Sequence, residues 1–437
     1  MSDVIVVGGG LGGLIVGAEL KRRDMEVLVL EASGHPGGVA SSVRQDGFLL
    51  EPAAGSLLWP NSDLGPVFEA AGIEMLAANP EAKSRFVYER DELFQVPESP
   101  ALAFSGLVSW RAKFRAICEP WVKTPPPSSD ESIESYFSRR FGPELGRLGA
   151  TLMAHGVFAG DPSTLSMRAA FPRMVALEDE AGSMVRGMMA RMKQREKDTP
   201  RASVHVPANG MTGVAEDLAA YLGASFQTNR PVSAVRRIEN GWIVEAGSEL
   251  QAKDIVLALA PHDACKLAPP DIAAQLGEAV VAPVAVVGIG GRAADVPLPA
   301  GFGALIGPDT DVHVLGILME SQYAPGRAPE LHHLAKGIYG GAADPKVLTR
   351  TDEELIAMMI DETSRVIGTR VQPTWSRVVR HDPGIPQYNV GHVDWMRKLD
   401  ATVANHPGLH LTGWGYRGIG VSSLGTEATR LGTLLAG

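Results

Sequence analysis

The sequence predicts an α/β (α+β multidomain) protein made of a discontinuous Rossmann-like domain, a mixed-sheet domain and a helical insert. Three observations predict it. An apolar run at residues 4–7 breaks into the glycine string VVGGGLGGL and returns through a second apolar run, 27–30, that ends on Glu31. Strand patterns vanish from about residue 97 to about 193, where helical patterns dominate, and resume at about 205. The last stretch, 408–437, again reads as strand, glycine-rich turn and helix.

The opening unit is a dinucleotide-binding βαβ motif. Gly8, Gly10 and Gly13 have G-x-G-x-x-G spacing. The first permits the tight turn, the second lets backbone approach a pyrophosphate, and the third lets helix and strand pack closely. A helix over 11–22 would point its N-terminal N–H groups at the phosphates. Glu31 can accept hydrogen bonds from a ribose, which argues against a 2′-phosphate and therefore against NADP. A glycine doublet, Gly37-Gly38, follows just past the acid and suits backbone pressed against a large flat cofactor. This is similar to the flavoprotein version of the fingerprint, which favours FAD over NAD.

Composition narrows the class. A chain of 437 residues is long enough for two or three modules. With 45% hydrophobic residues, 49 Gly and 31 Pro it describes a globular fold rich in turns. A net charge of −10 argues against a nucleic-acid partner, which needs a basic surface. Cys118 and Cys265 are too few for a disulfide framework or a CxxC metal site, and a reducing cytoplasm fits them. The first apolar run enters the glycine loop at once, so a strand is expected there and not a signal peptide. No run reaches the ~18 apolar residues of a spanning helix. A position on a membrane surface stays open, as does assembly into a homodimer.

Along the chain, residues 47–61 read as a strand entering a Gly/Pro loop, which is either a cover for the cofactor or a connector. FVYERDELFQVP predicts a β-hairpin turning at Arg90-Asp91. In the insert, Leu107, Trp110, Phe114, Ile117 and Trp121 recur at three- and four-residue spacing, with Arg111, Lys113 and Arg115 among them. We expect this stripe to be core against neighbouring helices; the alternative is that it rests on an anionic bilayer. Residues 129–132 supply a helix cap, and a partner helix runs through 144–153. Met184, Met188, Met189 and Met192 are expected to be adaptable core. Further on, a glycine turn and helix follow His205, a hairpin turns at Asn240-Gly241, and residues 252–261 form a short buried strand. Residues 270–379 carry more strands and a helix over 352–367. The final helix can place its N-terminus against negative charge on a reduced flavin.

Three strings carry a closer likeness: HGVFAGDPSTLSMRAAFP at 155–172, GIPQYNVGH at 384–392 and YRGIGV at 416–421. With them the chain resembles the oxygen-dependent porphyrinogen oxidases of haem biosynthesis, within the monoamine-oxidase-like flavoproteins, over nearly its full length. The resemblance implies an FAD-binding domain (1–80, 203–268 and 391–437), a substrate-binding domain (81–96 and 269–390) and a helical membrane-associating domain (97–202). It implies FAD contacts at Gly8, Gly9, Gly10, Leu11, Gly12, Gly13, Glu31, Ala32, Gly38, Val39, Ala53, Ala54, Gly55, Ser56, Val232, Trp414, Ile419, Gly420 and Val421. For the substrate it implies a carbonyl from Gly156 facing pyrrole N–H groups and a sandwich of Leu305, Leu318 and Ile338. Ordinary core is the competing reading of those three.

Two departures stand out. The animal and plant members place an arginine after a Val-Pro turn to hold a propionate, and the stretch 96–101, VPESPA, has none. Arg168 is the candidate replacement. The family's cysteine after the last glycine motif is replaced by Ser422-Ser423. The resemblance implies six-electron oxidation of a porphyrinogen by FAD and oxygen with release of hydrogen peroxide, at the cytoplasmic side and with peripheral membrane contact. Protoporphyrinogen IX is the leading substrate and coproporphyrinogen III its sibling. The fold alone also permits an amine oxidase, a desaturase, or a non-catalytic FAD- or porphyrin-binding protein. No catalytic triad, paired carboxylates or metal cluster stands out, and His392 is expected to be structural rather than a base.

Overall fold

The computed structural model describes residues 2–96, 106–123, 130–194 and 202–436. The chain begins with strand β1 (Ser2–Val7), helix α1 (Leu11–Arg22) and strand β2 (Val27–Leu30), the predicted βαβ unit. The sheet runs in the order Phe226–Gln227, β2, β1, Glu249–Leu257, Gly241–Glu245, Ala234–Ile238, with Leu409–Leu411 paired to the end of Glu249–Leu257. β1 lies parallel between β2 and Glu249–Leu257 and is buried on both faces, which is why its sequence is a continuous apolar run. Val4, Ile5 and Val6 retain no exposed surface. Removing each from water contributes on the order of 2 kcal/mol. Helices α1, Gly210–Leu222 and Val421–Ala436 cover one face through Leu14, Leu218 and Leu431.

The second sheet is mixed, as expected. Its order is Trp375–Pro386, Val281–Arg292, His332–Gly340, Gly316–Leu318, Gly303–Ile306, Arg85–Glu89, Glu92–Val96. All neighbours are antiparallel except Gly303–Ile306 against Arg85–Glu89. One face buries Ala285, Val287, Ile289, Ile317 and Tyr339 against Leu355, Met359 and Val366 of helix Asp352–Ile367. That helix has the bounds its periodicity predicts, because both ends are locally encoded. Thr351 and Glu354 form a reciprocal capping box, and Gly368 ends it at φ +68.

The hairpin at Arg90-Asp91 forms, with both turn residues at positive φ (51 and 59), the backbone that matches strand twist. The second hairpin turns one residue earlier than its Asn-Gly pair suggests. Ile238 pairs with Gly241, so Glu239 and Asn240 make the loop. Gly241 is the first residue of its strand, and it must be glycine because a Cβ on it would meet the Ala252 oxygen at 2.3 Å.

The insert contains helices Trp110–Ile117, Ile133–Phe141, Pro143–Phe158, Met167–Ala170, Pro172–Ala181 and Met184–Gln194. Ile133, Tyr136, Phe158 and Met167 form its core with Tyr388 from beyond the second sheet. Arg140, 1% exposed, is paired inside it with Glu119 and Glu178. The expected cap is Ser132, which accepts from the Ser135 N–H; Ser129, the VPESPA stretch beyond Val96 and most of TPPPSSD lie outside the described residues.

Two expectations fail here. Leu107 of the stripe is buried, but Trp110, Phe114, Ile117 and Trp121 are 68, 69, 62 and 68% exposed. Ala112 and Leu107 face the body instead, so the aromatic side of the helix has no protein partner among the described residues. Met188, Met189 and Met192 are likewise half or more exposed, and only Met184 packs against the insert core. Periodicity located an apolar stripe correctly but does not say what the stripe touches.

Candidate active site

The glycine loop lacks side chains for two kinds of reason. Gly8 stands at φ +107, where a Cβ would meet the Ala258 oxygen at 2.6 Å, and a Cβ on Gly13 would lie 1.9 Å from the Gly8 oxygen. These two serve the turn and the approach of helix to strand. Gly10 has an ordinary φ of −66. A Cβ there would find only the Gly37 oxygen, at 4.0 Å. The polypeptide itself does not require glycine at Gly10; a ligand beside it would.

Helix α1 starts at this point with no side chain capping it. The N–H groups of Leu11, Gly12 and Gly13 are therefore without helical acceptors, and the positive end of the helix dipole faces the same space. Glu31 ends β2 beside the loop: one carboxylate oxygen accepts from the Gly9 N–H at 2.7 Å and the other from the Ser33 N–H at 2.8 Å. Ala32 lies between these contacts. The doublet folds back over the loop, with the Gly37 N–H donating to the Gly9 oxygen at 2.9 Å and Gly37 and Gly38 at φ +108 and +59. Val39 is left 53% exposed.

The other end of the chain reaches the same place. A Cβ on Gly12 would contact Leu424 at 3.5 Å and Gly413 at 3.7 Å. Trp414 follows Gly413, and its indole N–H is buried without a partner. Ile419 packs on the insert core, Val421 opens the last helix, and a Cβ on Gly420 would meet nothing within 4 Å. Val232 packs under the opposite face of the first sheet, beside Leu257 and Leu411.

Ala53, Ala54, Gly55 and Ser56 form a half-buried loop held from the second sheet. Lys336 donates to the Glu51 carbonyl at 2.6 Å, and His381 Nε2 donates to the Pro52 carbonyl at 3.1 Å. Lys336 also pairs with Glu320 at 2.8 Å, and Arg327 with the Glu51 carboxylate at 3.3 Å. Ser42 and the Met211 N–H complete the Glu51 shell. Burial pushes the Glu51 carboxyl up to about 7, against the pull of Arg327. Sequence reasoning missed this network, because Glu51 and Lys336 are 285 positions apart.

The sheet face opposite helix Asp352–Ile367 carries the substrate candidates. Leu305 pairs with Gly316 and Gly316 with Ile338, so a row runs across three strands, and the Leu305 side chain leans over the glycine at its centre, 3.2 Å from where a Cβ would stand. Leu318 lies two residues from Gly316 and shares that face. All three side chains are half-buried, while Ala304, Ile306, Ile317 and Tyr339 between them are buried on the other face. Leu318 and Ile338 also pack at the edges of the clusters around Tyr323 and Val284. Gly156, exposed in the last turn of its helix, is brought against this row: a Cβ there would touch Leu305 at 3.3 Å. Carbonyls in a last turn have lost their helical donors.

Arg168 is not part of this assembly. It is half exposed and paired with Asp179 at 3.2 Å within the insert. His392 donates from Nε2 to the Tyr416 carbonyl at 2.9 Å and stacks on Tyr388 at 4.0 Å, a structural role. Burial lowers its pKa, as it does that of His155, whose Nδ1 has no partner.

The uncapped helix, the placed acid, the orphaned Trp414 N–H and the open sides of Gly10 and Gly420 fit a dinucleotide with a polar ring system. They define a dinucleotide-dependent oxidoreductase fold with an apolar sheet face beside the Gly156 turn. The sequence profile of flavin-containing amine oxidoreductases matches residues 11–421, and the chain belongs to that family. It is an oxidoreductase and its cofactor is FAD. The chain is 29% identical over 457 residues to the chloroplastic protoporphyrinogen oxidase of Nicotiana tabacum, covering 94% of this chain and 81% of that one. It is 24% identical over 451 residues to the coproporphyrinogen III oxidase of Bacillus subtilis, covering 96% of each. A crystal structure of an Exiguobacterium protein superimposes with a TM-score of 0.83 at 20% identity, over 99% of this chain and 98% of that one, which establishes the shared fold.

Proposed function

We propose that this protein oxidises protoporphyrinogen IX to protoporphyrin IX in three two-electron turnovers, reducing oxygen to hydrogen peroxide, with coproporphyrinogen III as the alternative substrate. The observation that carries this reading is the row Leu305, Gly316, Ile338 on the open face of the second sheet, with Gly156 against its edge. A flat apolar surface suits a tetrapyrrole. The names of the relatives in tobacco and B. subtilis support the same substrate class. An amine site would call for an aromatic cage, and the row is aliphatic.

When bound, FAD supplies two-electron acceptance and reoxidation by oxygen. The chain's own residues position and shield. The α1 N-terminus would hold the pyrophosphate, Glu31 the ribose, and the loop 53–56 the ring system. Leu305, Leu318 and Ile338 would exclude water and hold the macrocycle in a slot against their sheet face, while the Gly156 carbonyl would accept from pyrrole N–H groups. Under this reading the three divisions anticipated from sequence are functional units for cofactor, substrate and membrane.

The exposed aromatic side of helix Trp110–Ile117 supports peripheral attachment to an anionic membrane, at its cytoplasmic face. Trp110, Phe114, Ile117 and Trp121 lie beside Arg111 and Lys113, and no helix among the described residues is long and apolar enough to cross a bilayer. Replacing Trp110 and Trp121 by Ser is expected to reduce co-sedimentation with phosphatidylglycerol vesicles at least tenfold; unchanged sedimentation would reject the attachment.

The function is tested by following porphyrin fluorescence with protoporphyrinogen IX and coproporphyrinogen III in parallel, with peroxide measured. Fluorescence is expected to rise with at least one substrate, with about three peroxides per macrocycle, and to stop when oxygen is removed. No enzyme-dependent rise with either would overturn the proposal.

A further inference from the structure

The substrate reading leaves the carboxylates of a porphyrinogen without a cation, since Arg168 is engaged by Asp179. The structure offers another pair. A cavity of ≈ 510 Å³ opens between the second sheet and the small sheet formed by Leu57–Trp59, Met75–Ala77 and Ser203–Pro207. Its wall includes Leu58, Phe302 and Tyr323 together with Lys83 and Arg85. Leu58 is 54% exposed there, and Phe302 stacks on Tyr323 at 4.2 Å.

This cavity borders the same sheet face as the proposed slot. Gly303 pairs with Arg85 on one side and with Leu318 on the other, so Arg85 and Leu318 project from the same face with no side chain between them. Leu318 in turn packs in the cluster that contains Phe302 and Tyr323. Arg85 also pairs across its hairpin with Val96, the residue that begins the VPESPA stretch lacking an arginine.

Neither cation is otherwise occupied. Arg85 lies over the Phe302 ring at 5.5 Å, and neither it nor Lys83 has a hydrogen-bond or ion-pair partner among the described residues. Surface lysines and arginines are commonly solvated, but these two border an apolar cavity on the same sheet face as the proposed slot.

We propose that Lys83 and Arg85 hold the carboxylates on one edge of the tetrapyrrole at the mouth of the slot, Arg85 through its planar fork and Lys83 as a point charge. This rests on the porphyrinogen reading above. Two cations at one edge match a substrate with two neighbouring propionates.

The test compares an acid with its neutral twin. Protoporphyrin IX and its dimethyl ester are titrated, in the same detergent, against FAD-loaded wild-type enzyme and the variants Lys83→Met, Arg85→Met and Arg85→Lys, following quenching of protein fluorescence. Each Met variant is expected to raise the Kd of the acid about tenfold, the scale of one charge-assisted hydrogen bond, and to leave the ester within twofold. Arg85→Lys is expected to recover part of the loss. In turnover, KM for protoporphyrinogen IX should rise with kcat held. Equal weakening of acid and ester, or no weakening of either, would overturn the anchor. A wild-type enzyme that binds the acid more tightly than the ester but oxidises no porphyrinogen would instead reject the catalytic reading and leave the cation site standing.

Discussion

Replacing Gly10 with alanine separates the needs of the fold from those of the cofactor. The backbone there has φ −66, which any L-residue adopts, and the new methyl would have a single neighbour at 4.0 Å. The apo protein is expected to keep its melting temperature or gain slightly, because alanine for glycine at a compatible φ stabilises by about 0.4–1 kcal/mol. The methyl does occupy the space in front of the unpaired α1 N–H groups. Displacing a pyrophosphate from one or two charge-assisted hydrogen bonds costs about 3 kcal/mol, roughly a hundredfold in FAD Kd. The assay is reconstitution of stripped enzyme with FAD, followed by flavin fluorescence quenching, beside a thermal melt of the apo form. A Gly10→Ala protein that binds FAD as wild type does, or whose apo form is grossly destabilised, would refute the assignment of that space to the cofactor. Gly13→Ala is the control with the opposite signature: its Cβ would lie 1.9 Å from the Gly8 oxygen, so the apo fold itself should fail.

Gly316→Val, whose Cβ would press on Leu305 from 3.2 Å and lift it out of the row, should leave FAD bound while raising KM for the porphyrinogen at least tenfold, as read from flavin absorbance and steady-state rates; unchanged KM would remove the row from the substrate site. For Arg140→Met, the buried carboxylates of Glu119 and Glu178 lose their shared cation, and breaking such a pair costs about 3–5 kcal/mol, seen as early loss of helicity on heating. Glu51 ties stability to pH. Its folded pKa of about 7 lies above the ordinary 4.5, so the native state retains a proton that the unfolded chain releases. Its contribution is complete below pH 4.5 and is lost as pH rises through 7, a difference of about 3 kcal/mol. Urea unfolding of Glu51→Gln should show that slope removed relative to wild type, and parallel curves would contradict the raised pKa.

The parts legible in the sequence are those specified by neighbours in the chain. The βαβ unit, the Arg90-Asp91 hairpin and helix Asp352–Ile367 each carry their own turn or cap chemistry. Leu305 and Ile338 were nameable from family strings, but their common row required the register through Gly316. Arg85 and Lys83 carry no motif and acquire meaning only from the cavity that they border. The aromatic stripe of the insert shows a further limit. Spacing fixes which residues share a helix face, yet the exposure of Phe114 depends on what tertiary folding packs over it, which among the described residues is nothing. Likewise Arg140 reads in sequence as a surface arginine following Arg139, and only tertiary folding buries it between two carboxylates.

The contacts between the two sheets bear on why buried charge persists at Glu51, Arg327, Glu320 and Lys336. Such groups lose their hydration, and well-packed apolar residues would commonly serve stability as well or better. A methionine at Lys336, however, would not donate to the Glu51 carbonyl, and no aliphatic residue at His381 would donate to the Pro52 carbonyl. Those successive carbonyls begin the loop 53–56. Hydrogen bonds constrain direction as well as distance, whereas apolar packing between Phe48 or Leu50 and the strand Val281–Arg292 tolerates sliding. The two donors therefore fix the loop 53–56 to the sheet that carries the Leu305–Gly316–Ile338 row, and the proposed reaction, which needs a macrocycle held at one distance from a flavin, would depend on that registration. The charges are retained for geometry, at the expense of a core that apolar residues would make more stable.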